Sequence, residues 1–252
     1  MNYFFNSSDS EEAINAKNKY INIYDQSNIE EADIIISIGG DGFLLKSLHD
    51  YHMYNKPFYG INYGSIGFLM NNESNQNLNE IISSSQKIEL KALQMNSKDI
   101  DGNMHESFAF NEVSIMRQTH QAAKISIQIN DVTRMKELIC DGIMVSTAAG
   151  STAYNLSAHG SIVPLDSKLL ALTPISAFRP RRWRGALLSE NTKISFLVNN
   201  SKARSASVTA DHNEFRNINE VEISSSKDIK CNLLFDNNHS MEERILKEQF
   251  YS

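Results

Sequence analysis

The chain is expected to fold as an α/β unit with a parallel sheet, followed by a mainly β half arranged as a sandwich or a layered sheet. Three observations carry this. The first is Asp33-Ile-Ile-Ile-Ser-Ile-Gly-Gly-Asp-Gly-Phe43, where a short apolar, β-branched run stops abruptly at three glycines and an aspartate. Such a run reads as a buried, parallel strand. The second is the segment after it. Leu44, Leu45, Leu48 and His52 recur at helical intervals, and Pro57-Phe-Tyr-Gly-Ile61 reads as another strand. Strand, glycine turn, helix and strand make a βαβ unit. The third is a change of texture between Ile88 and Ile223, where residues 125–129, 193–198 and 221–223 alternate with period two or are rich in β-formers.

Taken in order, residues 11–20 have modest helical character and Ile21-Asn-Ile-Tyr24 reads as a short strand. Residues 34–38 form the strand that feeds the glycine turn, and residues 43–54 the helix after it. The second strand ends in Asn62-Tyr-Gly-Ser-Ile-Gly67. Asp101-Gly102 and Asn130-Asp131 are turn signals between strands of the β half. The tail Met241-Glu-Glu-Arg-Ile-Leu-Lys-Glu-Gln-Phe250 reads as an amphipathic helix whose Ile245, Leu246 and Phe250 need a surface to pack on, such as the first domain. There are no internal repeats.

Composition narrows the class. At 252 residues, 41% hydrophobic and 21% charged, the chain is globular and long enough for one large domain or two modest ones. Twenty-four Lys and Arg against 30 Asp and Glu give a net charge of −6, which argues against a dedicated nucleic-acid binder. The two cysteines, Cys140 and Cys231, give no metal-ligand spacing and suit a reducing compartment. No apolar run approaches the ~20 residues of a membrane span, and the N-terminus lacks the marks of a signal peptide. A cytoplasmic protein is expected.

Four segments carry chemistry. In open α/β sheets, ligands bind beyond the carboxyl ends of the strands, which is where Gly39-Gly40-Asp41-Gly42 falls. The glycines let backbone amides approach a phosphate, and Asp41 is held where it can meet a hydroxyl or a metal. That suits a phosphoryl-transfer enzyme; the bland alternative is a surface turn. In Asp141-Gly-Ile-Met-Val-Ser-Thr-Ala-Ala-Gly-Ser-Thr-Ala-Tyr-Asn-Leu-Ser157, small and hydroxyl-bearing residues open the backbone to a nucleotide. Asn155, Leu156 and Ser157 there fit a helix start. Asn111-Glu112 interrupts the otherwise apolar strand Phe108–Ile115 with a carboxamide and a carboxylate, able to take ribose hydroxyls or a base edge, or simply marking an exposed strand end. Phe178-Arg-Pro-Arg-Arg-Trp-Arg-Gly185 sets four arginines around the only tryptophan, as a phosphate patch, an interface or a solvated loop. The histidines have no metal-ligand spacing, although Asp211-His212 could enter a cleft.

In this order, Gly39–Gly42, Asn62-Tyr-Gly-Ser-Ile-Gly-Phe-Leu69, Asn111-Glu112, Asp141-Gly-Ile-Met-Val-Ser-Thr147 and Gly150-Ser-Thr-Ala-Tyr-Asn-Leu-Ser157 resemble the NAD kinase family. Residues 171–185 are similar to its bacterial, particularly alphaproteobacterial, branch. The resemblance implies an N-terminal Rossmann-like α/β domain (residues 1–90, joined by the tail 226–252) and a C-terminal β-sandwich (residues 91–225). It implies ATP-dependent phosphorylation of the 2′-hydroxyl on the adenosine ribose of NAD, with Mg²⁺ or another divalent cation arriving on ATP. Asp41 is then the catalytic acid/base residue, with Gly42 in the same pocket. Asn111 and Glu112 hold the ribose and adenine side, and Asp141 the nicotinamide end from a neighbouring subunit. Thr152, Ala153, Tyr154, Asn155, Leu156 and Ser157 wrap the adenosine, and Thr173 and His212 add contacts. The partners implied are NAD and ATP or polyphosphate, with no nucleic acid or membrane, in a homodimer or homotetramer.

Three positions depart from the family pattern: Phe43 where many members have Thr, His159-Gly160-Ser161 for Gly-Gly-Pro, and Ile139 for an arginine two residues before Asp141. The basic run 179–184 is a candidate replacement for the phosphate contact of that arginine. Two rivals to the reading are a related kinase acting on a lipid or a sugar phosphate, and a non-catalytic NAD-binding sensor.

Overall fold

The computed structural model describes residues 1–64, 67–236, 244 and 250. The chain divides into two compact units, Met1–Leu90 with Ile229–Ser252, and Lys91–Asp228.

The first unit is an α/β layer. Strands β1 (Tyr3–Ser7), β2 (Ile34–Gly39) and β3 (Phe58–Asn62) pair in parallel, with Phe5 opposite Ile36 and Ile36 opposite Tyr59. The end of the long strand Ile218–Phe235 adds a further parallel neighbour, Leu233 lying opposite Phe58. Every residue of β2 is buried, which explains its uninterrupted apolar sequence. Helix α1 (Glu11–Tyr24) starts where the Ser10 hydroxyl accepts the Ala13 N–H, with Glu11 and Glu12 in its first turn. It covers the sheet with Ala13, Ala16 and Tyr20, while α3 (Leu78–Ser84) adds Leu78, Ile81 and Ile82 to the same core. Each buried Leu or Ile among these stabilises the unit by roughly 1.5–3 kcal/mol.

Residues 21–24 are the last turn of α1 and not a strand. Aromatic packing overrides the β-branched character of Ile21 and Ile23. Tyr24 stacks on Tyr20 one turn earlier and meets the edge of Tyr3, and its hydroxyl accepts the Leu78 N–H at 2.9 Å. Helix α2 (Asp41–Tyr51) begins two residues ahead of the expected start and closes in a 3₁₀ turn, His52–Tyr54. Of the tail helix expected over residues 241–250, only Arg244 and Phe250 lie among the described residues. Arg244 is the buried one of the two, whereas Phe250 is 77% exposed.

The second unit is a β-sandwich. Its strands are β4 (Gln86–Asp99), β5 (Met104–Ala109), β6 (Glu112–Arg117), β7 (Ala123–Ile129), β8 (Val132–Cys140), β9 (Gly142–Ser146), β10 (Leu169–Ile175), β11 (Ala186–Ser189), β12 (Ile194–Val198), β13 (Ala206–Ala210), β14 (Asn213–Phe215) and β15 (Ile218–Phe235). One layer is antiparallel in the order β11-β10-β9-β6-β13-β14. The other pairs β15, β12, β7 and β8, with the β4–β5 hairpin attached through β15. Val113, Ile115, Ile143 and Val145 of the first layer share a core with Ile125, Ile127, Phe196 and Val221 of the second. Asn130 and Asp131, both at positive φ, make the two-residue turn between β7 and β8.

Residues 108–115 are not one interrupted strand. The chain leaves β5 at Ala109, turns through Phe110 and Asn111, and enters β6 at Glu112. β5 pairs with β4, whereas β6 pairs with β9 and β13, so this corner changes layers.

Candidate active site

In the first unit, β2 delivers the chain into α2 through Gly39 and Gly40, and Asp41 is the first residue of that helix. A carboxylate in the first helical turn is favoured by the helix dipole. Its Oδ2 accepts the Phe68 N–H at 2.8 Å and its Oδ1 the Leu69 N–H at 3.0 Å. Two amides of consecutive residues thus aim the group. The turn after β3 packs against this one so tightly that a Cβ on Gly64 would lie 3.0 Å from the Gly40 Cα. Gly42 is exposed, and among the described residues a Cβ there would meet nothing within 4 Å, which leaves space beside the turn on that side. Ser65 and Ile66 of the Asn62–Leu69 motif lie outside the described residues.

In the second unit, Asn111 and Glu112 sit at the β5–β6 corner. The Asp211 carboxylate accepts the N–H groups of Phe110, Asn111 and Glu112 at 2.7, 3.0 and 3.2 Å. The carbonyls of the corner are taken from the other side: Thr147 Oγ1 donates to Phe110 O at 2.6 Å, and Thr147 N to Asn111 O at 2.9 Å. With its backbone consumed, the corner presents its side chains. Asn111 Oδ1 and Glu112 Oε2 are buried and have no hydrogen-bond partner among the described residues. Burial, followed by the nearby Asp211 charge, pushes the Glu112 carboxyl up to about 7. Buried acceptors without donors are the polar groups a ligand's hydroxyl or amino groups would satisfy.

The small-residue segment wraps this corner. A Cβ on Gly150 would lie 2.3 Å from the Asn111 carbonyl oxygen, so only glycine fits. Thr152 and Ala153 are half-buried, Tyr154 and Ser157 exposed, and Leu156 half-buried. Burial raises the Tyr154 hydroxyl, and the charges of Glu112 and Asp141 raise it further. The expected helix after the loop is one turn, α4 (Tyr154–Ser157), too short to align a useful dipole.

Asn155 differs from its neighbours. It is fully buried, its Nδ2 donating to Ser151 O and Ser161 O at 3.0 Å each and its Oδ1 accepting the Thr173 hydroxyl at 2.6 Å. The side chains of Asn155 and Thr173 therefore brace the loop and do not face solvent. Thr173 lines a cavity of about 240 Å³ together with Ser161, Leu172, Arg184 and Gly185. Asp141 lies between β8 and β9 and pairs with Arg117, Nε to Oδ1 at 2.6 Å. His212 is exposed in the two-residue turn between β13 and β14.

The basic run lies across from Ile139. Ile139 N donates to Arg179 O at 2.8 Å, and Arg179 N to Ile139 O at 3.1 Å. Trp183 packs on the sandwich core, whereas Arg179, Arg181, Arg182 and Arg184 are exposed. Sequence reasoning underrated three residues: Asp211, Arg117 and Arg244. Each acts through a partner more than 20 positions away in the chain, a distance that local pattern does not span. Among the described residues, no group of three or more His, Cys, Asp or Glu could hold a metal ion, and no helix is long and apolar enough to cross a membrane.

Comparison with known proteins identifies the family. Models of the ATP-NAD kinase N-terminal domain and the ATP-NAD kinase C-terminal domain match residues 3–89 and 110–241. An NAD kinase of Rickettsia canadensis (strain McKiel) is 52% identical over 228 residues, covering 90% of this chain and 89% of its own length. One of Xylella fastidiosa (strain 9a5c) is 50% identical over 246 residues, covering 98% and 95%. Two solved structures share the fold. Yeast NADH kinase complexed with NADH has a TM-score of 0.79 at 18% identity, over 100% of this chain and 87% of that one. An NAD kinase from Archaeoglobus fulgidus in complex with ATP has a TM-score of 0.77 at 22% identity, over 98% of both chains. With both domain models matched over most of its length and relatives identical at half their positions, the chain belongs to the ATP-NAD kinase family.

Proposed function

We propose that this protein transfers the γ-phosphoryl group of ATP to the 2′-hydroxyl on the adenosine ribose of NAD, making NADP, with Asp41 as the base. The observation that carries this reading is the Asp41 carboxylate, aimed by two amides beside the open space over Gly42. A carboxylate is a weak base for an alcohol, but in a loose phosphoryl-transfer transition state the hydroxyl proton leaves late. Asp41 then orients the nucleophilic oxygen and takes its proton as the bond to phosphorus forms. The divalent cation belongs to the nucleotide substrate, where it neutralises charge on the phosphates.

The β5–β6 corner supplies recognition. Asn111 Oδ1 and Glu112 Oε2, buried acceptors, take hydroxyl or amino donors of the nucleotide, and Glu112, whose carboxyl burial pushes up, can also donate when protonated. Thr152, Ala153, Tyr154, Leu156 and Ser157 line the adenosine, with Asn155 and Thr173 holding the loop in shape. Gly42 borders the reacting hydroxyl and His212 adds a contact. Asp141, steadied by Arg117, takes the nicotinamide end of NAD bound by a second copy in a dimer or tetramer. Arg179, opposite Ile139, takes the phosphate contact that position 139 leaves unfilled.

The test is NADP formation from NAD, ATP and Mg²⁺ by the wild type and by Asp41→Asn. Turnover is expected from the wild type, with kcat lower by at least ~100-fold in the variant at little change in NAD affinity. Near-normal turnover by the variant removes Asp41 from its role. Absence of turnover by the wild type with either ATP or polyphosphate, while NAD still binds, favours a sensor.

A further inference from the structure

Arg244 is a buried cation, 8% exposed, in the C-terminal part of the first unit. A buried guanidinium is costly unless its N–H groups and its charge are matched. Its Nη1 donates to Phe68 O at 3.1 Å and also to Met70 O, its Nη2 donates to Asn71 Oδ1 at 3.1 Å, and it lies 4.9 Å from the centre of the Phe235 ring, while its Nε is buried with no hydrogen-bond partner among the described residues. Burial lowers its pKa, opposed by the charges of Asp236 and Asp41.

The acceptors are the point. The peptide group between Phe68 and Leu69 takes Arg244 on its carbonyl and gives its N–H to Asp41 Oδ1. One peptide therefore links cation to carboxylate head to tail. A hydrogen bond to the carbonyl polarises the amide and strengthens its donation at the other end. Asn71 is anchored independently, its N–H and Nδ2 donating to Gly60 O at 2.8 and 3.1 Å and its Nδ2 to Leu234 O at 3.0 Å. Those bonds fix the far end of the turn, whereas Arg244 spans the turn from Phe68 to Asn71. We propose that Arg244 is a positioning residue for Asp41, fastening from the C-terminal tail the turn whose two amides aim the carboxylate. This rests on the reading of Asp41 as the base. A lysine would keep the charge and lose the planar fork that spans three acceptors.

The test compares Arg244→Lys and Arg244→Ala with Asp41→Asn in the full chain, measuring kcat, KM for NAD and thermal unfolding. Arg244→Lys is expected to lower kcat by about 10- to 100-fold, the cost of a misplaced catalytic group, with KM for NAD little changed. Guanidinium ion at low concentration should restore part of the kcat of Arg244→Ala and none of that of Asp41→Asn. Adding Arg244→Lys to Asp41→Asn should cost little more, because the two act as one unit. If Arg244→Ala does not fold, the lysine variant and its double mutant carry the test. Wild-type kcat in folded Arg244→Lys beside an inactive Asp41→Asn overturns this inference alone. So does a full additional loss in the double mutant. Normal turnover by Asp41→Asn overturns the base assignment, and the inference with it.

Discussion

Two carboxylates, one in each unit, are placed in opposite environments. Asp41 lies at a helix start with both oxygens on amide donors. Glu112 lies at a strand corner with Oε2 buried and without a hydrogen-bond partner among the described residues, and with its carboxyl pushed up to about 7. Donors aimed at a carboxylate favour its charged, acceptor-only form, whereas burial without donors favours the neutral form. The same functional group is thus held rigidly by amides in one unit, which suits the base proposed above, and is an adaptable hydrogen-bonding group in the other. Asp211 extends the comparison. Like Asp41, it gathers the amides of consecutive residues, but it serves as a bracket that fixes the backbone of the corner carrying Asn111 and Glu112.

The comparison can be tested at each carboxylate. The largest effect is expected at Asp41, where loss of charge in Asp41→Asn removes the proton acceptor and most of kcat. Next is Asp211→Asn, which weakens three charge-assisted hydrogen bonds and should cost about 2 kcal/mol in denaturant unfolding. It should also let the Glu112 pKa, followed by carboxyl NMR shifts, fall part of the way from about 7, because the Asp211 charge is the lesser of its two causes. An unchanged value would leave burial as the whole explanation.

Glu112→Gln probes the other environment through stability. A carboxyl raised from 4.5 to about 7 binds more protons folded than unfolded in that window, so stability falls as pH rises through it. Removing the titration should flatten that fall and raise stability at pH 8 by about 1–3 kcal/mol, while weakening NAD binding. The smallest effect on the fold is expected at Gly42→Ala, whose added methyl meets nothing. Helix stability should rise by up to ~1 kcal/mol, while NAD turnover suffers if that space is the pocket.

Much of the fold was legible locally. The β2 run, its glycine stop and the 3.6-residue pattern of α2 are each set by neighbours in the chain; β2 ends one residue beyond the reading, and α2 starts two residues early and ends three early, in a 3₁₀ turn to Tyr54. Turns such as Asn130-Asp131 are equally local, because their backbone angles select the residues. Failures came where a distant partner outweighed local preference. Ile21 and Ile23 read as strand, but Tyr3 and Tyr20 keep residue 24 in the helix. Phe108 to Ile115 reads as one strand, but the Asp211 carboxylate and the two layers bend it at Asn111.

The sequence by itself determined the two-part architecture, the glycine turn that carries Asp41, and the small-residue segment around Tyr154, since chain stiffness, periodicity and side-chain volume are local properties. Tertiary structure alone decided which amides meet Asp41, that Asp211 brackets the Glu112 corner, that Asn155 turns inward and that Arg244 turns into the core. These depend on pairing groups up to 176 residues apart, as between Arg244 and Phe68. The physical reason is that hydrogen-bond donors and buried charges are satisfied by whatever the fold brings within 3 Å or so, and neighbours in space need not be neighbours in sequence.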